Sequence, residues 1–215
     1  MNQKERVNKF IEYFSKYQPE AKTELAYKNV FELTVAVVLS AQCTDKRINI
    51  ITPKLFAAFP TPVLMAEASV DHIFDLIKSC SYPRNKAKYL LGLSKMLVTD
   101  FNSKIPNNII DLQKLPGVGR KTANVVGSVY FDIPAMPVDT HVFRVSNRIG
   151  LTNNAKNPLQ SELQLIKIFP KEKLSIAHHW LILHGRYICK ARKADCINCN
   201  ITEICKHYKK LKLQN

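Results

Sequence analysis

Leu115-Pro-Gly-Val-Gly-Arg-Lys-Thr-Ala-Asn-Val-Val126 decides how the rest of the chain is read. One helix is expected to end near Lys114 and a second to begin just past Gly119, with Val118 in the turn between. Gly117 and Gly119 permit positive φ and keep side chains out of the way of an approaching backbone. From Arg120 onward the first amides of the new helix lack intrahelical acceptors, and the helix dipole stands behind them. That combination grips an anion such as a phosphate. Lys121 lies on this first turn. Its plainest role is one more phosphate contact; the alternative is an amine nucleophile that forms a Schiff base. An amine attacks only when uncharged, and cationic Arg120, the helix N-terminus and partial burial would each favour that state.

Eighteen residues after Lys121 comes Asp139, within Pro137-Val-Asp-Thr-His-Val-Phe-Arg-Val-Ser-Asn-Arg-Ile-Gly150. Asp139 is placed to N-cap the helix that follows. A carboxylate near an amine can also accept its proton and stabilise a developing cation, and the two roles are compatible. On the same helix His141, Arg144 and Arg148 fall at i, i+3 and i+7, a polar stripe beside Val142, Val145 and Ile149. The stripe faces either nucleic acid or water.

Cys189, Cys196, Cys199 and Cys205 follow the pattern Cys-x6-Cys-x2-Cys-x5-Cys. Thiols this dense can close around one soft centre, either zinc or an iron–sulfur cluster. Spacing alone leaves both open, although zinc ribbons generally carry two Cys-x2-Cys pairs and only one is present. Lys190, Arg192 and Lys193 lie between the first two cysteines. Pinned by a bound centre they would form a fixed array for phosphates; otherwise they are a solvated loop. Cys43 and Cys80 have no such pattern and read as small buried residues.

The chain of 215 residues carries 32 Lys and Arg against 17 Asp and Glu, a formal charge of +15. Such an excess points to a polyanionic partner, nucleic acid first. Hydrophobic residues make up 46%, which excludes a disordered composition. The apolar run near Val35 to Leu39 is far short of a membrane span, and the polar start lacks a signal-peptide core. A cytoplasmic protein is expected, in which disulfides are rare.

Apolar residues recur at helical spacing: Val7, Phe10, Ile11, Phe14; Ile73, Leu76, Ile77; Leu90, Leu93, Leu97, Phe101. Residues 30–42 read as a mostly buried helix, and Ile48, Ile51, Leu55 and Phe59 as another that Pro53 should kink or break. Further helices are predicted at about 120–131, 140–149, 158–168 and 173–188. Period-two strands are absent, so the fold class is all-α, in two lobes.

Taken together, these stretches resemble the endonuclease III family, bacterial helix–hairpin–helix DNA glycosylases with AP lyase activity. The match is carried by Leu39-Ser-Ala-Gln-Cys-Thr-Asp45, Leu115 to Val126, Val138-Asp-Thr-His141, His179-Trp-Leu-Ile-Leu-His-Gly-Arg-Tyr187 and the four cysteines. The resemblance implies a six-helix barrel domain over 25–134 with the hairpin at about 108–130. A discontinuous cluster domain would join 1–24 to 135–215, with its cluster loop at 189–205. It implies a [4Fe–4S] cluster on Cys189, Cys196, Cys199 and Cys205, and a catalytic pair Lys121 and Asp139. Gln42 would fill the gap left by a flipped nucleotide, and Tyr82 would stack as a wedge. Gly117, Val118, Gly119, Arg120, Arg144, Lys190, Arg192 and Lys193 would contact DNA, while Ser40, Asp45 and His141 are candidates to line the base pocket. The implied partner is double-stranded DNA bearing a damaged base or an abasic site, bound by a monomer at the bacterial nucleoid.

The implied activity is removal of oxidised pyrimidines through a lysine Schiff base, then β-elimination 3′ of the abasic site. Departures from the family pattern are Ser81-Tyr82-Pro83 in the wedge loop, Gln113 where relatives can carry Glu, and Pro53. Rival readings are a related adenine or mismatch-thymine glycosylase, relatives of which usually lack the lysine, a non-catalytic iron–sulfur DNA-binding protein, and a zinc-bound DNA module.

Overall fold

A computed structural model describes residues 1–214. In chain order the helices are α1 (Gln3–Tyr17), α2 (Val30–Ser40), α3 (Asp45–Ala58), α4 (Pro62–Ala66), α5 (Val70–Ile77) and α6 (Pro83–Asp100). They continue with α7 (Ile109–Leu112), α8 (Arg120–Tyr130), α9 (Thr140–Ile149), α10 (Pro158–Ile168), α11 (Leu174–Tyr187) and α12 (Lys206–Gln214). No strand forms among the described residues. None of the helices is long and apolar enough to cross a membrane.

Helix starts follow local chemistry. Asn29 caps α2 by accepting from the Glu32 amide at 2.9 Å, and Asn108 caps α7 through the Asp111 amide at 2.8 Å. Pro83 occupies the first turn of α6, where its missing N–H costs nothing. The break expected at Pro53 does not occur, because α3 runs through it. Pro53 is exposed, so the hydrogen bond it forfeits falls on the solvent side, where water can replace it. The helix expected over 30–42 stops at Ser40, and Gln42 turns away with φ of 54°.

Two compact units result. One is Glu24–Ile133, which holds six helices of five residues or more and the single turn α7. Its core gathers Leu33, Val35 and Leu39 from α2, Ile48 and Leu55 from α3, Leu90, Leu93 and Leu97 from α6 and Val126 from α8. Helix α2 is buried nearly all round, as its unbroken apolar run requires. Helices α4 and α5 pack on α6, and α2 packs on α8.

The other unit joins Met1–Thr23 to the chain from Pro134 onward. Its core centres on Trp180, with Phe14 stacked at 5.8 Å and Phe10 edge-on at 6.2 Å. The indole N–H donates to the Gln18 carbonyl at 2.8 Å. Arg6, buried, donates from Nε to the Ile204 carbonyl at 2.8 Å, joining residues 198 apart in sequence.

Candidate active site

The residues expected to act fall in both units. In Glu24–Ile133, Gly117 has φ of +79°. A Cβ built there would lie 2.9 Å from Cβ of Tyr89 on α6, so the turn presses against that helix. Gly92 lets Pro116 approach in the same way, its own hypothetical Cβ meeting Pro116 at 3.3 Å. Leu115 and Val118 are buried beneath the turn, and the Val118 amide donates to the Leu115 carbonyl at 3.0 Å. Val118 thus anchors the turn by its side chain.

Gly119 differs from the expectation of positive φ. Its φ is −81°, an ordinary extended N-cap geometry, and a Cβ there would meet nothing within 4 Å. It gives α8 no side-chain cap. No contact inside the protein requires glycine here. Arg120 and Lys121 follow, both exposed. The partial burial expected for Lys121 is therefore absent in the free protein, and any cover for its amine has to come from a bound partner. Gln113 donates from Nε2 to the Ile109 carbonyl at 3.2 Å, turned onto its own helix.

Gln42 and Tyr82 are exposed, and each holds left-handed backbone with φ of 54°. Neither is glycine, so each position is strained. Ser81, the departure from the family pattern, donates from Oγ to the Gln42 carbonyl at 2.6 Å and ties the two turns together. Ser40 donates to the Val37 carbonyl at 2.9 Å, and Asp45 is the half-buried first residue of α3.

In the second unit Asp139 is half-buried at the N-cap of α9, with Oδ1 accepting from the Val142 amide at 2.8 Å. The cap uses one carboxylate oxygen and leaves Oδ2 for a ligand. His141 and Arg144 do not form a plain outward stripe. Arg144 donates from Nη2 to the Gly185 carbonyl at 2.9 Å and from Nε to the Cys189 carbonyl at 3.2 Å. The same Nη2 lies 3.2 Å from Nδ1 of His141. Burial, then neighbouring Arg148, lower the Arg144 pKa from its ordinary value. Gly185 permits this packing, since a Cβ there would lie 3.0 Å from Cβ of His141.

Arg148, the third member of that stripe, turns to the cysteine loop. It donates from Nη1 to the Lys190 carbonyl at 2.7 Å and from Nη2 to the Ala191 carbonyl at 3.0 Å, and Nη1 stands 3.5 Å from Cys189 Sγ. The two arginines fasten the start of the cysteine loop to α9. Lys190, Arg192 and Lys193 remain exposed on that loop.

Cys189, Cys196, Cys199 and Cys205 line one cavity walled by Ile149, Ile188 and Ile201. All four are free thiols. Burial pushes the thiols of Cys199 and Cys205 above their ordinary pKa. The Tyr208 amide points at Cys205 Sγ from 3.5 Å, and His184 Nε2 lies 3.8 Å from Cys199 Sγ. Burial holds the His184 pKa down to about 4, so its ring is neutral at physiological pH. His184 lies in the quoted His179–Tyr187 stretch but carried no role there; only tertiary contact with a thiol distinguishes it. Among the described residues no three His, Cys, Asp or Glu side chains converge as the ligands of one metal ion would.

The HhH-GPD superfamily base excision DNA repair protein signature matches residues 35–171. Over 206 residues the chain is 52% identical to endonuclease III of Rickettsia conorii, covering 96% of this chain and 98% of that protein. This chain belongs to the endonuclease III family. Endonuclease III of Rickettsia felis is 51% identical, over 94% of each chain. Among solved structures, a trapped covalent intermediate of endonuclease III with DNA, in an estranged-adenine complex, matches with a TM-score of 0.93 and 43% identity. That match covers 99% of this chain and 100% of the other. The hairpin stretch Leu115–Val126 lies inside the matched 35–171 segment, as does Asp139.

Proposed function

We propose that this protein is a bifunctional DNA glycosylase and AP lyase of base excision repair, acting on oxidised pyrimidines in duplex DNA. The observation that carries the reading is the placement of Lys121. It stands exposed on the first turn of α8, two residues after Gly119, whose position offers neither a side-chain cap nor an atom where a Cβ would lie. An incoming phosphate can reach the first amides of α8 there, which sets a nearby sugar within reach of the amine. Membership of the endonuclease III family supports the same reading.

In the proposed reaction the damaged nucleotide is everted at a cost of a few kcal/mol, which damage reduces. The uncharged Lys121 amine attacks C1′ of the sugar, and the C1′–N bond electrons leave with the base. Asp139 accepts a proton from the amine and stabilises positive charge on the sugar through Oδ2, while Oδ1 keeps its cap. The sugar ring opens to a protonated Schiff base that acidifies the C2′ proton. Loss of that proton expels the 3′ phosphate by β-elimination, and water releases Lys121. Ser40, Asp45 and His141 are the proposed pocket residues. Gln42 and Tyr82 enter the duplex, and Lys190, Arg192 and Lys193 bind its backbone, so affinity falls with rising salt.

Cys189, Cys196, Cys199 and Cys205 are proposed to hold a [4Fe–4S] cluster. Four free thiols lining one cavity, with a single Cys-x2-Cys pair among them, fit such a centre. Such a centre supplies iron–thiolate bonds that pin the loop bearing Lys190, Arg192 and Lys193. We assign residues 25–134 as the barrel domain and 1–24 with 135–215 as the cluster domain. The protein is proposed to work as a monomer in the cytoplasm, at the nucleoid.

The test is borohydride reduction during reaction with a duplex carrying one oxidised pyrimidine. The wild-type protein becomes covalently joined to DNA, and Lys121→Ala does not. A wild-type protein that excises the base yet is never trapped refutes the lysine mechanism. Turnover over a panel of defined lesions then ranks the preferred base.

A further inference from the structure

Lys86 lies on α6 with 4% of its surface exposed. Its Nζ donates to the Leu39 carbonyl at 2.7 Å and to the Ala41 carbonyl at 2.8 Å, both at the C-terminal end of α2. These carbonyls have lost their helical partners and carry the negative end of the α2 dipole, so an ammonium is well matched to them. No carboxylate pairs with Lys86 among the described residues, and burial lowers its pKa from the ordinary lysine value. An unpaired buried ammonium is a costly way to end a helix, since exposure to water or a glycine cap would serve. The cost points to a task beyond capping.

The same residue also holds the second turn. Its backbone N–H donates to the Tyr82 carbonyl at 3.1 Å, the bond that opens α6. Lys86 therefore grips Tyr82 through its main chain and the approach to Gln42 through its side chain. Between them Ser81 Oγ reaches the Gln42 carbonyl. Gln42 and Tyr82 are the two exposed left-handed residues that this three-point clasp spans. Left-handed backbone at non-glycine residues persists only where the surroundings over-determine it.

We propose that Lys86 is a positioning residue that locks the Gln42 and Tyr82 turns into one preset pair, so that both side chains enter a DNA duplex together. The inference rests on the reading of Gln42 and Tyr82 as duplex contacts. Lys86 touches no reacting atom. Its contribution is that the protein does not spend binding energy ordering two loops at the moment the nucleotide is everted.

The deciding comparison is cleavage of an abasic site in a duplex against the same site in single-stranded DNA, under single-turnover conditions with saturating enzyme. A single strand has no gap to fill and no stack to part. Lys86→Met, which keeps length and volume but removes the charged donor, lowers the duplex rate by about tenfold or more, the size of one lost charge-assisted hydrogen bond. The single-strand rate stays within about twofold. Ser81→Ala, a milder cut in the same clasp, shifts the ratio in the same direction. The double variant falls little further than Lys86→Met alone, because both act on one unit. Equal losses on both substrates, or an unchanged duplex rate, overturn the proposal. Should Lys86→Met not fold, by helix content and melting, Ser81→Ala decides, and an unchanged ratio there overturns it. If Gln42→Ala and Tyr82→Ala leave the ratio unchanged, the proposal falls through its premise, and the clasp itself is not at fault.

Discussion

Gly117 and Gly119 are two residues apart, and replacing each by alanine should produce opposite phenotypes. At Gly117 the left-handed backbone costs an alanine about 1–2 kcal/mol. Its methyl would also stand 2.9 Å from Cβ of Tyr89, an atom fixed to the α6 backbone, which adds about 1–3 kcal/mol of overpacking. Gly117→Ala is thus expected to lose about 2–5 kcal/mol of folding stability. Gly119 has ordinary φ and open space, so Gly119→Ala changes stability by no more than about 0.5 kcal/mol, the weaker N-cap being offset by a less flexible unfolded chain. On the proposed mode of binding that methyl would stand in the path of the phosphate, and DNA affinity should fall about tenfold, as for one lost charge-assisted hydrogen bond. Urea unfolding followed by helix signal gives the first quantity, and fluorescence anisotropy with a labelled abasic duplex at fixed salt gives the second. A Gly119→Ala protein that binds DNA like wild type, or a Gly117→Ala protein of wild-type stability, would falsify the assignment of one glycine to the fold and the other to the ligand.

Asp139→Asn keeps an oxygen for the Val142 amide, so stability should change by less than about 1 kcal/mol while excision slows about a hundredfold or more; equal rates would leave Asp139 as a cap alone. Arg148→Met removes the ties to Lys190 and Ala191, and a chelator should strip the proposed cluster from it faster than from wild type, read from the loss of visible absorption. His179 is buried, and desolvation followed by Arg186 lowers its pKa from 6.5 to about 4. Its folded pKa lies below the unfolded one, so the unfolded state binds more protons between these values. The His179 contribution is therefore complete above pH 6.5 and is lost as pH falls toward 4, up to about 3 kcal/mol. Unfolding free energy in His179→Leu should fall less steeply across that window, and an unchanged slope would place the acid sensitivity elsewhere.

The all-α class was legible because apolar spacing is a local signal: Leu90, Leu93 and Leu97 recur with the helical period and all lie in the core. The hairpin was legible because glycines at fixed spacing have few other uses. Pro53 misled because the cost of a helical proline depends on whether the forfeited bond faces water, which no window of sequence reports. Helices α4 and α7, of five and four residues, are too short to display a period. Arg144 and Lys86 mark the deeper limit. Each is a cation within a helix, and residue type alone suggests solvent or phosphate. Their partners lie 45 and 47 residues away, at the Cys189 and Leu39 carbonyls, and only the fold brings them into contact.

The Arg6 bond to the Ile204 carbonyl has a consequence for biosynthesis. Helix α1 leaves the ribosome long before Trp180 or Ile204 has been translated, and at typical rates the interval is on the order of ten to forty seconds. Throughout that time Phe10 and Phe14 lack Trp180, the ring at the centre of their cluster, whereas the central unit, contiguous in sequence, has all its partners once residue 133 has emerged. A nascent chain stalled at about residue 175, with Ile133 clear of the exit tunnel and Trp180 not yet made, should therefore carry a protease-resistant middle and a labile leading helix. That helix is where a trigger-type chaperone has most to shield.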